Sequence, residues 1–194
     1  MIDPAARLQA QARFRVRQHF TALMARYEIR TWEEDGGPGE LLAVALEKTG
    51  AAHAHLMFFA DEDRAVPVFG FKARAAMDVH GVSDVIDARC APIGVFRKDL
   101  ASSWTPAVWR LEQPGLPAMA GTERNRPIAL LRRLVLEFLP YHVDFLSGDR
   151  QPVMTVTKSF AFLRDAYDVV VHDADLDRRV AAAVAVALET PQPR

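Results

Sequence analysis

The 194-residue chain has one cysteine, Cys90, and lacks an apolar run long enough to cross a bilayer as a helix. A single cysteine cannot form an internal disulfide, which fits a reducing compartment. The N-terminal segment lacks the apolar core of a secretory signal. Lysine and arginine (24) nearly balance aspartate and glutamate (25), so the overall charge gives no reason to expect a nucleic-acid partner. We therefore expect a cytoplasmic protein that at most attaches peripherally to a membrane.

Signatures of catalysis are also scarce in this sequence. There is no Gly-x-Ser-x-Gly elbow, and the glycine-rich residues 36–39 do not precede a helix as a phosphate-binding loop would. His53 and His55 could lie on one face of a strand and ligate a metal, but the spacing supplies no third ligand. We therefore predict that the protein is not an enzyme. If it is a hydrolase or a metal enzyme instead, His53 and His55 should converge with acidic residues in a cleft.

The most informative segment is an apolar stretch near the C-terminus, residues 180–188, which contains only alanine, valine and leucine. A helix without a polar face must be surrounded by protein or by lipid, and nine residues are too few to cross a bilayer. The sequence therefore predicts a helix enclosed by its own protein, with a wall that comes close to its backbone. The residues expected to be buried in this helix include Val180, Ala183, Val184, Ala187 and Leu188.

Most of the remaining chain has the pattern of short strands. Residues 13–18 alternate strictly, with Phe14 and Val16 on one face and arginines at positions 13, 15 and 17 on the other. These arginines could bind an anionic ligand, or they could keep an edge strand from pairing with another chain. Further strands are predicted at 27–32, 40–48 (which equally suits a helix), 55–59, 66–74, 141–145, 153–157 and 167–172, with strand–turn–strand units at 83–98 and 107–117.

Repeated hairpins of this kind predict a meander that closes as a barrel or packs as a sandwich. One helix is predicted over 127–138, where Pro127 precedes an apolar stripe. Residues 1–12 are expected to form an arm, either helical or disordered. Residues 13–189 form the single domain, and 190–194 form a tail.

Three aspartates precede the terminal helix: Asp173, Asp175 and Asp177. Their spacing matches the opening of a calcium loop, but an EF-hand requires glycine and glutamate where this chain has Arg178 and Val184. The alternative is a cluster of acids at a helix start, with Asp173 or Asp175 as the cap.

Four cations form the second candidate site. Lys72 and Arg74 would project from one strand face, and Arg97 and Lys98 lie on a predicted neighbouring strand. Such a cluster could bind phosphate, for which the arginine fork is well suited, or could simply be the solvated face of a sheet.

The order of these units resembles the phospholipid scramblase and LURP-one-related families of the tubby C-terminal-like superfamily, over residues 13–189. The matching features follow one another along the chain: Phe14-x-Val-Arg-Gln18, Tyr27-Glu-Ile29 with its acidic turn, Asp84-Val-Ile-Asp87 leading to Ile93-Gly94, Tyr167-Asp-Val169, and Asp175-Leu-Asp177 before the apolar helix. The resemblance implies a mainly β (α+β) fold, a closed antiparallel barrel of about twelve strands around the hydrophobic C-terminal helix.

The resemblance also implies functions. Scramblase-like proteins are associated with calcium-dependent lipid movement, and their calcium segment would fall near Asp173, Asp175 and Asp177. Tubby-like domains bind phosphoinositides through a Lys-x-Arg pair that Lys72-x-Arg74 resembles in form. The chain lacks the cysteine-rich stretch and proline-rich extension of scramblases, so lipid scrambling is not expected.

These observations predict a non-enzymatic binding module that contacts anionic phospholipid or phosphorylated ligands through a basic face. The alternative is a protein-interaction scaffold in which an edge strand such as 13–18 pairs with a partner. No cofactor is expected, and calcium is the one ion that the aspartates suggest.

Overall fold

A computed structural model describes residues 3–21, 23–48, 55–74, 81–99, 108–123, 142–161 and 164–189. Within them lie helices α1 (Pro4–Gln9) and α2 (Arg178–Glu189). The strands are β1 (Arg13–Phe20), β2 (Met24–Thr31), β3 (Leu41–Lys48), β4 (His55–Phe59), β5 (Pro67–Ala73), β6 (Ser83–Asp87), β7 (Pro92–Asp99), β8 (Val108–Glu112), β9 (Met119–Glu123), β10 (His142–Leu146), β11 (Pro152–Ala161) and β12 (Arg164–Val171).

The strands form one closed antiparallel barrel in which each strand pairs with its neighbours in sequence and β12 pairs with β1. Phe14 of β1 lies opposite Thr31 of β2 on one side and Val169 of β12 on the other. The predicted barrel is confirmed. The prediction that residues 13–18 form an edge strand is wrong, because β1 is hydrogen-bonded on both sides.

Alternation along the strands separates a buried inner face from a polar outer face. In β1, Phe14 and Val16 are 0% and 2% exposed, whereas the intervening arginines point outward. The inner positions of the other strands add most of the remaining apolar core. The period of two that predicted this strand therefore also predicted which side faces the core.

Helix α2 occupies the centre of the barrel, as its composition predicts. Residues 180–186 are at most 1% exposed, and the helix contacts β1, β5, β6, β7 and β12. The barrel wall comes close at Gly94 of β7, where an added Cβ would lie 2.9 Å from a methyl carbon of Val180. The missing side chain at Gly94 makes this approach possible.

The N-terminal segment belongs to the core. Helix α1 packs against α2, β3 and β5, and Leu8 is completely buried. Of the two expected forms of residues 1–12, the helical one is found over residues 4–9. Residues 41–48 form a strand and not the alternative helix, while the helix predicted over 127–138 lies outside the described residues. Neither described helix is long and apolar enough to span a membrane.

One end of the barrel, called here the acidic end, is rich in carboxylates. It carries the segments 32–40, 60–66, 88–91, 113–118, 147–151 and 172–177. Their acidic residues are Glu33, Glu34, Asp35, Glu40, Asp61, Glu62, Asp63, Asp149, Asp173, Asp175 and Asp177, against three arginines, Arg64, Arg89 and Arg150. The N-terminus of α2 lies at this end, where carboxylates complement the helix dipole. The opposite end carries the β1–β2 turn and is called here the Leu23 end.

Candidate functional site

Lys72 and Arg74 lie on the outer face of the barrel where β5 approaches the Leu23 end. Both are exposed, and the register places Lys72 between His55 of β4 and Asp84 of β6. Arg74 donates to Asp84, with Nη2 at 2.8 Å from Oδ1, and this hydrogen-bonded carboxylate raises the pKa of Arg74. Within the described part of the chain, Lys72 forms no ion pair.

Arg97 lies on the outer face of β7, two strands from Arg74. β6 alone separates these strands, which puts their backbones roughly 10 Å apart. Arg97 is also opposite Arg110 of β8, and the two guanidinium groups share the carboxylate of Asp99. The Asp99 Oδ1 atom is 3.4 Å from Nε of Arg97.

Lys98 does not join this group. Alternation places it on the inner face with Phe96, and its Nζ lies 5.5 Å from the centroid of the Trp109 ring. The expectation of one four-cation cluster is therefore corrected, because adjacent residues of a strand point to opposite faces.

The outer set Lys72, Arg74, Arg97 and Arg110 is called here the cationic face. Its carboxylates are Asp84 and Asp99, together with Glu112 of β8, which is exposed and whose charge also raises the pKa of Arg74. The sequence alone does not identify Arg110 as part of this group, because its position beside Arg97 depends on the pairing of β7 with β8. The alternation in Val-Trp-Arg-Leu indicates only that Arg110 points outward. Guanidinium groups and an ammonium group on nearby strands can donate to phosphate oxygens, with exposed ion pairs exchanging partners.

The three aspartates before α2 do not form a metal site. Asp173 accepts a hydrogen bond from the backbone of Asp175, and Asp177 is paired with Arg179, whose Nη2 lies 2.6 Å from Oδ2. Among the described residues, no three His, Cys, Asp or Glu side chains are placed to hold a metal ion. Asp177, not the predicted Asp173 or Asp175, caps α2 by accepting from the backbone N–H of Arg179 at 2.9 Å.

Two glutamines fix this acidic segment, and sequence inspection found neither. Gln113 donates to the carbonyl of Asp175 at 3.0 Å and accepts from the N–H of Asp177 at 2.8 Å. Gln9 accepts from the N–H of Arg178 at 3.0 Å. Each amide offers a donor and an acceptor, which is what a turn with free backbone groups needs.

Arg178 closes the same segment from inside. It is 7% exposed, and its guanidinium donates to the backbone carbonyls of Gln11, Asp173, Ala174 and Leu176. Burial lowers the pKa of this guanidinium. An open groove of about 380 Å³ lies beside the segment, bordered by Gln9, Gln113 and the Asp177–Arg179 pair. These polar groups are already hydrogen-bonded within the segment before α2. Their role is therefore to fix that segment at the end of the barrel.

The arginines of β1 are each engaged. Arg13 stacks on the Trp32 ring at 3.4 Å, and Arg15 forms an ion pair with Asp168 at 2.6 Å. Arg17 donates to the carbonyl of Gly37 at 3.2 Å. This row therefore stabilises the outer surface of the sheet.

A second outer network surrounds Glu28 of β2, which is 7% exposed. Arg26 and Arg30 each donate to its carboxylate at 2.6 Å. Burial alone would raise the pKa of Glu28, but the hydrogen bonds from Arg30 and Arg26 outweigh it and lower the pKa. Both arginines of this network are therefore paired with carboxylates, whereas Lys72 is exposed and forms no ion pair in the described part of the chain.

The structure describes one of the two histidines that could form a metal site, His55. His55 is exposed at the start of β4, and His53 lies outside the described residues. Buried polar groups do occur on the inner face: Gln18 is 3% exposed, and neither polar atom of its side chain has a hydrogen-bond partner among the described residues.

No protein-family model, curated protein or solved structure matches this chain. Its function must therefore be argued from its own residues. The strongest candidate for ligand binding is the cationic face, because its cations project from the outer surface of β5, β7 and β8 within one four-strand section of the wall.

Proposed function

We propose that the chain is a non-enzymatic binding module with a tubby C-terminal-like, scramblase-related barrel, and that its cationic face contacts anionic phospholipid or phosphorylated ligands. The observation that carries the proposal is the exposure of Lys72, which has no ionic partner in the described part of the chain, beside Arg74 and Arg97. The closed twelve-stranded barrel around a terminal helix agrees with the architecture that the resemblance implies.

The spacing of the cationic face suits a phosphate-bearing ligand. Lys72 and Arg74 stand on one side of β6, and Arg97 and Arg110 stand on the other. An incoming phosphate could accept from Lys72 directly and compete with Asp84 for Arg74, because the Arg74 side chain is 54% exposed. Exposed ion pairs of this kind contribute about 0–1 kcal/mol, so a doubly charged ligand can displace them.

The alternative, a protein-interaction scaffold, loses its expected mechanism. A partner strand cannot add to β1, because both of its edges are occupied by β2 and β12. A protein partner would therefore have to bind side chains on the outer surface. Pull-down of a specific protein by a chain that shows no lipid preference would favour this alternative.

Co-sedimentation with phosphatidylcholine vesicles, with and without phosphoinositide, tests the proposal at moderate salt. The wild-type chain is expected to bind only the anionic vesicles. Lys72→Gln combined with Arg74→Gln should weaken binding roughly thirtyfold, since each cation near an anionic surface contributes about 1 kcal/mol. The matched control, Arg64→Gln with Arg89→Gln, removes the same charge at the acidic end and should leave binding unchanged. Absence of wild-type binding, or equal loss in both double variants, would contradict the proposal.

A further inference from the structure

Asp84 of β6 engages the donor groups of Arg74 on the cationic face. Nε of Arg74 lies 3.0 Å from Oδ1 and 3.1 Å from Oδ2 of this carboxylate, and Nη2 lies 2.8 Å from Oδ1. Two oxygens of a phosphate group would match the same arginine fork. The carboxylate therefore lies where a phosphate bound by Arg74 would have to lie.

The charges around Arg74 nearly cancel. The strand register places Lys72, Asp84, Val95 and Glu112 in one row across the outer surface of β5 to β8. The hydrogen-bonded Asp84 raises the pKa of Arg74 most, and the charge of Glu112 raises it further. Two cations of β5 thus face two carboxylates, so an anionic ligand gains little attraction from this part of the face until a carboxylate moves away.

The Arg74–Asp84 pair is accessible enough to exchange partners. The Arg74 side chain is 54% exposed and that of Asp84 is 20% exposed. Exposed ion pairs contribute little to stability, so opening this one costs little. The neighbouring Lys72 is exposed and forms no ion pair in the described part of the chain, so a phosphate could bind it first and then replace Asp84 at Arg74.

We propose that Asp84 is an autoinhibitory residue of the cationic face, whose carboxylate must leave Arg74 before a phosphate group can bind there. This inference rests on the proposed function and adds the residue that limits its affinity. The phosphate group is common to a lipid headgroup and to a soluble phosphorylated compound. A residue that blocks the site and a residue that orients Arg74 for its ligand have opposite effects when removed: loss of the first strengthens binding, and loss of the second weakens it.

Asp84→Asn distinguishes these roles. The wild type and the variant are titrated with phosphatidylcholine vesicles that contain phosphoinositide and, separately, with a soluble inositol phosphate. The variant should bind about tenfold more tightly than the wild type, because a like charge close to the ligand is removed. A gain with both probes would identify the phosphate group itself as the ligand, and a gain with the vesicles alone would identify the lipid surface.

The matched control is Asp63→Asn, in the exposed β4–β5 turn at the acidic end. It changes the net charge of the chain by the same amount and should bind like the wild type. Asp84→Ala, which leaves no amide oxygen near Arg74, should bind at least as tightly as Asp84→Asn.

A double-mutant cycle tests whether the inhibition acts through Arg74. In the Arg74→Gln background, Asp84→Asn should give a much smaller gain in affinity, because the two side chains interact directly. An equal gain in both backgrounds would indicate general charge repulsion and would overturn the inference.

The remaining outcomes separate this inference from the proposed function. If the wild type binds and both Asp84 variants bind equally or more weakly, the inference is wrong and the proposed function stands. Binding by Asp84→Asn without binding by the wild type would support the inhibition and contradict the proposed function. Absence of binding by every variant would overturn both.

Discussion

Glu47 shows how one residue on the inner face responds to its surroundings. Like Ala43 and Ala45, it points to the inner face of β3, and it is 8% exposed. Burial raises the pKa of its carboxyl to about 7, because the charged form is poorly solvated there. The folded chain therefore binds a proton at this site over a pH range in which the unfolded chain has released it.

We predict that this carboxyl makes stability depend on pH between about 4.5 and 7. Between these two pH values the folded state holds a proton that the unfolded state has released. The stabilisation from this proton is therefore complete below the unfolded pKa, and it is lost as the pH rises through the folded pKa. The loss should be about 3 kcal/mol. Urea unfolding of wild type and Glu47→Gln across this range checks it; the variant should lack this slope, and a wild-type slope retained by Glu47→Gln would contradict the assignment.

At the residue scale, sequence predicted which side chains are charged but not always where they point. Adjacency in sequence groups Lys98 with Arg97, although strand alternation places the two side chains on opposite faces. The spacing of the three aspartates does not single out Asp177 as the helix cap, because the sequence does not locate the first residue of α2 to within one turn. Both errors involve shifts of one to four residues, which sequence patterns resolve poorly.

At the scale of elements, the entrance of α2 depends on residues far away in sequence. Gln113 follows β8 and is sixty-four residues from the Asp177 N–H that it accepts from. It also donates to Asp175, so one side chain satisfies two backbone groups of the segment. The terminal helix is thus attached to the barrel wall by hydrogen bonds as well as by packing.

We expect Gln113→Ala to destabilise the protein by roughly 1–2 kcal/mol, because it leaves an N–H and a carbonyl without their partners. Gln151→Ala is the matched control, since that side chain lies exposed in the β10–β11 turn at the same end of the barrel. Thermal unfolding of both variants measures the difference. Equal stability of the two variants would show that Gln113 does not hold the segment.

The elements themselves were largely predictable. Strict alternation identified β1, and the absence of a polar face identified α2 as an enclosed helix. Residues 41–48 were ambiguous because leucine and alanine suit a helix as well as a strand, and the pairing with β2 decides between them. Strand pairings such as Arg97 with Arg110 join distant residues, and no local pattern encodes them.

At the scale of the whole molecule, closure determines what surface is available. Pairing of β12 with β1 removes the edge that a partner strand would need, and leaves outward side chains and the two ends as binding surfaces. The concentration of carboxylates at one end cannot be seen in the net charge of −1. These carboxylates are brought together because the connections that carry them all lie at one end of the barrel.

The wrapping of α2 by the barrel is the central feature of the fold. Amide hydrogen exchange of residues 181–187 in the native protein tests it most directly. These amides should exchange only through global unfolding, with an opening free energy equal to the global free energy of unfolding, because the helix cannot open while the barrel is closed. Rapid exchange of these amides, at rates typical of an exposed helix, while the strand amides stay protected would contradict the account.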